Sequence, residues 1–236
     1  MSVLPPIRAT SPIADVGYPG TIMPALFLSG CDFRCPYCLN HQLVFERELD
    51  ELDAMRILSE YMLSGERWIM ISGGEPLRDT RCVALLEEAA KLHLRVALAT
   101  NGCYPGRLQH VVEERLAEHI VMDVKTAFDP PRYAEASGAN VKWFPKVKES
   151  FDFLVRSDVE ADFRITCCSK FVSRADVMSV AEAVGMSGIL VLQLYRSDNP
   201  MDPDMANPEL AVPYDMLQEW ACAADPLVWK ALVREV

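Results

Sequence analysis

The sequence predicts an α/β protein whose parallel sheet forms an open, partial (β/α)6 barrel. Short apolar runs typical of buried strands alternate with amphipathic segments of helical length, which is the pattern of βαβ units on a parallel sheet. Six such units occur in the 236 residues, too few for a closed eight-stranded barrel of typically about 250 residues. A flat, doubly wound sheet is the alternative. We expect residues 1–236 to form a single domain.

The elements begin after an irregular or hairpin-like lead-in over residues 1–22, which is rich in proline. The expected strands cover residues 23–29, 67–71, 94–99, 119–122, 161–167 and 189–194, with a closing strand at 227–233. The expected helices cover residues 50–63, 80–91, 107–117, 146–156, 174–184 and 214–223. Residues 126–143 show no periodicity, so we expect a long loop that is a lid, a docking surface or an ordinary connection. Residues 197–236 are expected to form a loop, the last helix and a C-terminal tail.

The composition argues against several classes of protein. A net charge of −11 disfavours nucleic acid as a partner, because nucleic-acid binding requires a basic surface. The sequence contains no apolar run of 18 residues and no signal-peptide pattern, so we expect a cytoplasmic protein that does not bind a membrane. The eight cysteines lack the spacing of a secreted disulfide scaffold.

Three of the cysteines stand close together as Cys31, Cys35 and Cys38, in a C-x3-C-x2-C pattern directly after the first expected strand. Thiols this dense indicate a metal centre. A four-iron cluster normally takes four Cys ligands, so three would leave one iron open to a substrate. A structural zinc site that takes His41 as its fourth ligand remains an alternative, as do unliganded thiols. The remaining cysteines are predicted to be buried thiols: Cys82, Cys103, Cys167, Cys168 and Cys222.

Polar motifs follow the other expected strands, at the edge where α/β folds bind ligands. They are Gly73-Gly74-Glu75-Pro76, Thr100-Asn101, Asp123 with Lys125, Arg164 with Thr166, and Gln193. Pro76 restricts Glu75 to extended geometry, so we expect the backbone amides and carbonyls of this segment to face a ligand. Asp123 and Lys125 lie two apart on a strand and point to one face. Either they pair with each other or they contact a cofactor.

These motifs together resemble the radical S-adenosylmethionine (SAM) superfamily. Within it, the chain resembles the activating proteins of anaerobic ribonucleotide reductase, which are relatives of pyruvate formate-lyase activating enzyme. The resemblance rests on Cys35-Pro36-Tyr37-Cys38, Ser72-Gly73-Gly74-Glu75-Pro76, Thr100-Asn101-Gly102, Met122-Asp123-Val124-Lys125 and Phe163-Arg164-Ile165-Thr166.

The resemblance implies a [4Fe-4S] cluster on Cys31, Cys35 and Cys38. It also implies SAM as second cofactor, and the residues expected to bind it are Tyr37, Gly73, Gly74, Glu75, Thr100, Asn101, Asp123, Lys125, Arg164 and Gln193. An electron from a donor such as flavodoxin or ferredoxin would cleave SAM to a 5′-deoxyadenosyl radical. That radical would abstract hydrogen from a glycine of a partner glycyl radical enzyme. The alternatives are a small-molecule enzyme similar to 7-carboxy-7-deazaguanine synthase, and a non-catalytic zinc-binding module.

Overall fold

A computed structural model describes residues 3–14, 22–45 and 49–235. Within them, the strands are β1 Ala9–Ala14, β2 Met23–Leu28, β3 Trp68–Gly73, β4 Arg95–Thr100, β5 His119–Asp123, β6 Glu160–Cys167, β7 Ile189–Leu194 and β8 Lys230–Arg234. The helices are α1 His41–Val44, α2 Ala54–Ser64, α3 Cys82–Lys91, α4 Pro105–Glu113, α5 Pro130–Ser137, α6 Phe144–Arg156, α7 Arg174–Val184 and α8 Tyr214–Ala224.

The strands are ordered β1 to β8 in the sheet, as they are in the chain. β1 pairs antiparallel with β2, whereas β2, β3 and β4 pair in parallel, and so do β6, β7 and β8. The predicted α/β class with a largely parallel sheet is therefore confirmed. The chain divides into two compact units, one formed by Met1–Asp32, Asn40–Thr100 and Tyr104–Val121 and the other by Phe33–Leu39, Asn101–Cys103 and Met122–Val236.

In the first unit, both faces of the sheet are buried. Alternate residues of a strand point to opposite faces. On one face, Phe27 and Trp68 pack against a buried cluster formed by Met23, Ala25, Met70, Ala97, Ala99 and Val121. Leu26 and Leu28 of β2 point to the opposite face and are also buried. This burial explains why β2 appears in the sequence as a continuous apolar run, as strands of parallel sheets do.

In the second unit, a chain of aromatic rings joins the sheet to α5 and α6. The ring of Phe163 on β6 lies 4.9 Å from that of Phe151 on α6, which lies 4.4 Å from that of Phe128. Phe128 stacks on Tyr133 at 6.2 Å, and Tyr133 meets Phe144 edge-on at 5.7 Å. Aromatic contacts of this kind stabilise beyond the area that they bury. They fix α5 beside the sheet.

The prediction of a long loop at residues 126–143 is wrong, because α5 and a short 3-10 helix, Val141–Trp143, lie within it. The Asp129 side chain accepts a hydrogen bond from Arg132 N and caps the helix. Pro130 occupies its first turn, and Gly138 ends it in the left-handed conformation. Of the two forms expected for the lead-in, irregular or hairpin-like, the structure shows the second, because β1 pairs antiparallel with β2; residues 15–21 lie outside the described residues.

Cys222 is exposed, contrary to expectation, because it lies on the outer side of α8. Cys82, Cys103, Cys167 and Cys168 are buried as predicted. Among the residues described, no helix is both long and apolar enough to cross a membrane.

Candidate functional site

The cysteine loop, residues 31–38, follows β2 and is curled. Gly30 has a positive φ of 85° where the loop begins, and the amide of Cys38 donates to the carbonyl of Cys35 at 3.0 Å. Cys31 and Cys35 are buried and Cys38 is partly buried, and none of them forms a disulfide. No disulfide bond therefore prevents the three thiols from acting as ligands.

Three thiols are the ligand type that an iron–sulfur cluster takes. In the part of the chain that the structure describes, no three His, Cys, Asp or Glu side chains converge as ligands of one ion. A four-iron cluster does not require convergence, because each thiolate binds a different iron. Burial raises the pKa of the Cys35 thiol to about 11, although the ammonium of Lys125 lowers it. A thiolate in this position needs positive charge beside it, and the irons of a cluster supply such charge.

The two glycines after β3 pack against the start of the cysteine loop. Gly73 has a φ of +136°, and a Cβ there would lie 1.9 Å from the carbonyl oxygen of Leu28. A Cβ on Gly74 would lie 2.3 Å from the carbonyl oxygen of Gly30. The amides of Gly74 and Glu75 donate to these carbonyls, at 3.0 Å to Leu28 and 2.8 Å to Gly30. The expectation that these two amides face a ligand is therefore wrong. The β2–β3 register uses them within the protein.

The carboxylate of Glu75 is fully buried and binds a second predicted site residue, Thr100. Its Oε1 atom accepts a hydrogen bond from the Thr100 hydroxyl at 2.9 Å and another from the Leu77 amide at 3.1 Å. The second bond caps the 3-10 helix Pro76–Arg78. Burial of a carboxylate is costly unless it is hydrogen-bonded, so Glu75 contributes to the fold of this turn as well as being a site candidate.

A charged trio is formed by Asp123 at the end of β5, Lys125 two residues later, and Arg164 within β6. One Asp123 oxygen accepts a hydrogen bond from Arg164 Nε at 2.7 Å, and the other accepts one from Lys125 Nζ at 3.3 Å. The two cations are 12% and 14% exposed, for Lys125 and Arg164 respectively, and Asp123 is 28% exposed. The mutual pairing that the sequence left open is thus observed, and it extends to Arg164.

The charges of the trio shift the pKa values of its members and also those of residues in the cysteine loop. Burial alone would raise the pKa of Asp123, but Arg164 and Lys125 lower it to about 2. Burial would lower the pKa of Lys125, but Asp123 and Cys35 raise it well above its usual value. Burial raises the pKa of the Tyr37 hydroxyl, and the positive charge of Lys125 reduces this rise. The second unit therefore places Lys125 in the electrostatic surroundings of Cys35 and Tyr37.

Tyr37 and Tyr133 carry the hydroxyl groups of this region. The Tyr37 hydroxyl is buried and has no hydrogen-bond partner in the described residues, and its ring lies 5.7 Å from that of Phe171. The Tyr133 hydroxyl accepts a hydrogen bond from the backbone amide of Lys125 at 3.4 Å. Sequence reasoning missed Tyr133, because it lies on α5. The capping residues Asp129 and Gly138 are the signal that could have revealed this helix.

Two predicted residues occupy less central positions. The side chain of Asn101 is buried, and its Oδ1 atom accepts a hydrogen bond from the amide of Cys103 at 3.0 Å. Gln193 is partly buried on β7, opposite Thr166 of β6 in the strand register. Neither contact by itself assigns a role.

The chain is similar in sequence to several known proteins. It is 24% identical over 198 residues to a Methanocaldococcus jannaschii protein named "Putative glycyl-radical enzyme activating enzyme", covering 81% of this chain and 80% of that one. It is 29% identical over 136 residues to the 7-carboxy-7-deazaguanine synthase of Hyperthermus butylicus, covering 54% and 57%.

Two further comparisons concern the fold and the family of the chain. The crystal structure of Streptococcus suis SuiB bound to the precursor peptide SuiA shares the fold at a TM-score of 0.69 and 14% identity, covering 88% of this chain and 47% of that one. Residues 26–167 match the profile of the Radical SAM superfamily. Members of that superfamily use a [4Fe-4S] cluster and SAM, and this chain belongs to the radical SAM superfamily.

Proposed function

We propose that this protein is an activating enzyme that installs a glycyl radical on a partner enzyme such as anaerobic ribonucleotide reductase. One observation carries the proposal: the similarity to the M. jannaschii relative extends over about four fifths of both chains. The similarity to the 7-carboxy-7-deazaguanine synthase covers little more than half of each chain.

In this proposal Cys31, Cys35 and Cys38 hold the cluster. When bound, the cluster supplies the electron that cleaves SAM to methionine and a 5′-deoxyadenosyl radical. The residues of the chain bind the cluster and SAM and orient them. Lys125 lies in the electrostatic surroundings of Cys35, so its ammonium compensates negative charge beside the thiolates. An electron donor such as flavodoxin or ferredoxin belongs to the same proposal.

The charged trio supports a role in binding SAM, because its pairing leaves capacity for a ligand. Two cations face one carboxylate, so the trio carries one net positive charge. Arg164 uses Nε for Asp123, and its two Nη groups donate to no residue in the described ranges. A guanidinium has five donors, so Arg164 can hold Asp123 and still donate to a carboxylate or a hydroxyl of SAM.

The other proposed SAM contacts are Gly73, Gly74, Glu75, Thr100, Asn101, Gln193 and Tyr37. Tyr37 has the clearest support among them, because a buried hydroxyl that lacks a partner is uncommon in proteins. A bound ligand would give this hydroxyl a hydrogen-bond partner.

The test uses the whole protein with a reconstituted cluster. Reduced enzyme and SAM are incubated anaerobically with each glycyl radical enzyme encoded beside its gene, and the glycyl radical is measured by electron paramagnetic resonance. We expect a glycyl radical signal that depends on SAM and is absent from the Cys35→Ala variant.

A different outcome would favour the small-molecule alternative. If no candidate enzyme gives the signal, while a pterin or nucleoside strongly stimulates 5′-deoxyadenosine formation, the protein is not an activating enzyme. The similarity to the 7-carboxy-7-deazaguanine synthase makes this the second candidate function.

A further inference from the structure

The middle of the cysteine loop is bound to the C-terminal end of α5. The amide of Arg34 donates to the carbonyl of Ser137, the last residue of that helix, at 2.9 Å. The next residue, Gly138, ends the helix with a φ of +57°. A Cβ on Gly138 would lie 2.0 Å from the carbonyl oxygen of Arg34. The helix end and the loop therefore approach so closely that only glycine fits.

A second segment binds the same loop on the far side of Cys35. The amide of Asp202 donates to the carbonyl of Pro36 at 2.9 Å, and the amide of Met201 donates to the carbonyl of Cys38 at 3.0 Å. These donors lie more than 160 residues away along the sequence. Three backbone hydrogen bonds from two distant segments thus fix the loop around two of its cysteines.

We propose that Gly138 and Met201 are positioning residues that hold the cysteine loop in the conformation that receives the cluster. This inference rests on the proposed role of the three cysteines as ligands. A flexible loop would lose conformational entropy each time that it bound a cluster, whereas a loop already held by the protein does not pay that cost. The segment expected from the sequence to be a lid, a docking surface or a connection acts here as a support for the loop.

The first test compares Gly138→Ala with Gly65→Ala. Both glycines follow a helix in the left-handed conformation, but a Cβ on Gly65 has nothing within 4 Å. The two variants therefore share the backbone strain, and only Gly138→Ala forces the loop to move. After anaerobic reconstitution, we measure iron per chain and the rate of iron release to a ferrous chelator, with circular dichroism to check folding.

We expect Gly138→Ala to release iron about five- to tenfold faster than Gly65→Ala, which corresponds to the loss of about one hydrogen bond. A second pair of variants applies if Gly138→Ala does not fold. Met201→Pro removes the amide that reaches Cys38, whereas Met201→Ala keeps it. We expect faster release only from the proline variant.

The outcomes separate this inference from the one on which it rests. If Cys35→Ala retains a full cluster, the ligand assignment is wrong. If Cys35→Ala loses the cluster, while Gly138→Ala and Met201→Pro bind and release iron at the rates of their controls, the ligand assignment holds and the positioning role is rejected.

Discussion

The replacement of Asp123 by Asn tests whether the charged trio stabilises the folded chain without any cofactor. Asparagine keeps the size of the side chain and removes its charge. The cations of Lys125 and Arg164, 12% and 14% exposed, would then lie beside each other without the carboxylate that pairs with both of them. Removing one partner of a buried ion pair is costly because the other charge stays buried.

The pKa of Asp123 gives the size of the effect. It is lowered to about 2 in the folded chain, against about 3.9 for an unfolded Asp. Linkage converts a shift of this size into about 2.6 kcal/mol of stability at neutral pH. Because Asp123 is 28% exposed, solvent screening reduces this to about 2 kcal/mol. For a chain of this length, such a loss lowers Tm by about 4–8 °C.

The same pKa fixes the direction of the pH dependence. A carboxyl whose pKa is depressed on folding contributes stability above its unfolded pKa and loses the contribution as pH falls through the folded value. The difference between the wild type and Asp123→Asn should therefore be complete above about pH 5 and fall to about half at pH 3. Urea unfolding of the cluster-free protein at the two pH values measures it.

The matched control is Asp198→Asn, which breaks the Asp198–Arg196 pair at the surface. Asp198 is 60% exposed, so we expect no measurable change in Tm. If Asp123→Asn is as stable as the wild type at pH 7 while its SAM affinity falls, the trio serves the cofactor alone, and the reasoning from pairing is refuted.

Three further predictions concern the cluster, SAM and the glycine turn. Replacing any one of the three loop cysteines with Ala should abolish cluster binding, whereas Cys82→Ala should keep about four irons per chain. Iron analysis of the reconstituted variants measures this. If a loop variant retains its iron, the set of three ligands is wrong. Lys125→Met should weaken SAM binding by about 10- to 150-fold in equilibrium titration, as expected for one charged hydrogen bond, while Lys148→Met, at a surface ion pair, should not. Gly73→Ala should cost about 3 kcal/mol or more in urea unfolding, because its Cβ would meet the β2 backbone; Gly106→Ala, in open space within α4, should be neutral or slightly stabilising.

The strands β2 to β8 could be predicted from the sequence because each has a local signature. The run 189–194 reproduces β7, Ile189–Leu194, without error, since a strand buried on both faces is a continuous apolar run between turns. The end of α2 has a local signature of the same kind, because its left-handed C-cap, Gly65, selects glycine through its own backbone.

The pairing within the site could not be predicted in this way, because it depends on residues far apart in sequence. The bond between Asp123 and Arg164 joins residues that are 41 positions apart. The hydrogen bond from the Glu75 amide to the Gly30 carbonyl depends on the register that places Leu28 opposite Gly73. The helix α5 was missed for a different reason: at eight residues, it is too short to show periodicity, although its caps are visible.

The structure also changes how variants of this site have to be interpreted. Glu75 and Asp123 are candidates for binding SAM, yet each already accepts two hydrogen bonds from the protein. A loss of activity alone in a variant of either residue would therefore not distinguish a lost SAM contact from local unfolding. Arg164 differs, because its Nη groups bind no residue in the described part of the chain. Replacing Arg164 by Lys keeps the charge opposite Asp123 but removes the planar fork of donors. A loss of SAM affinity in that variant, at unchanged stability of the cluster-free protein, would therefore identify a cofactor contact that no substitution of Asp123 can isolate.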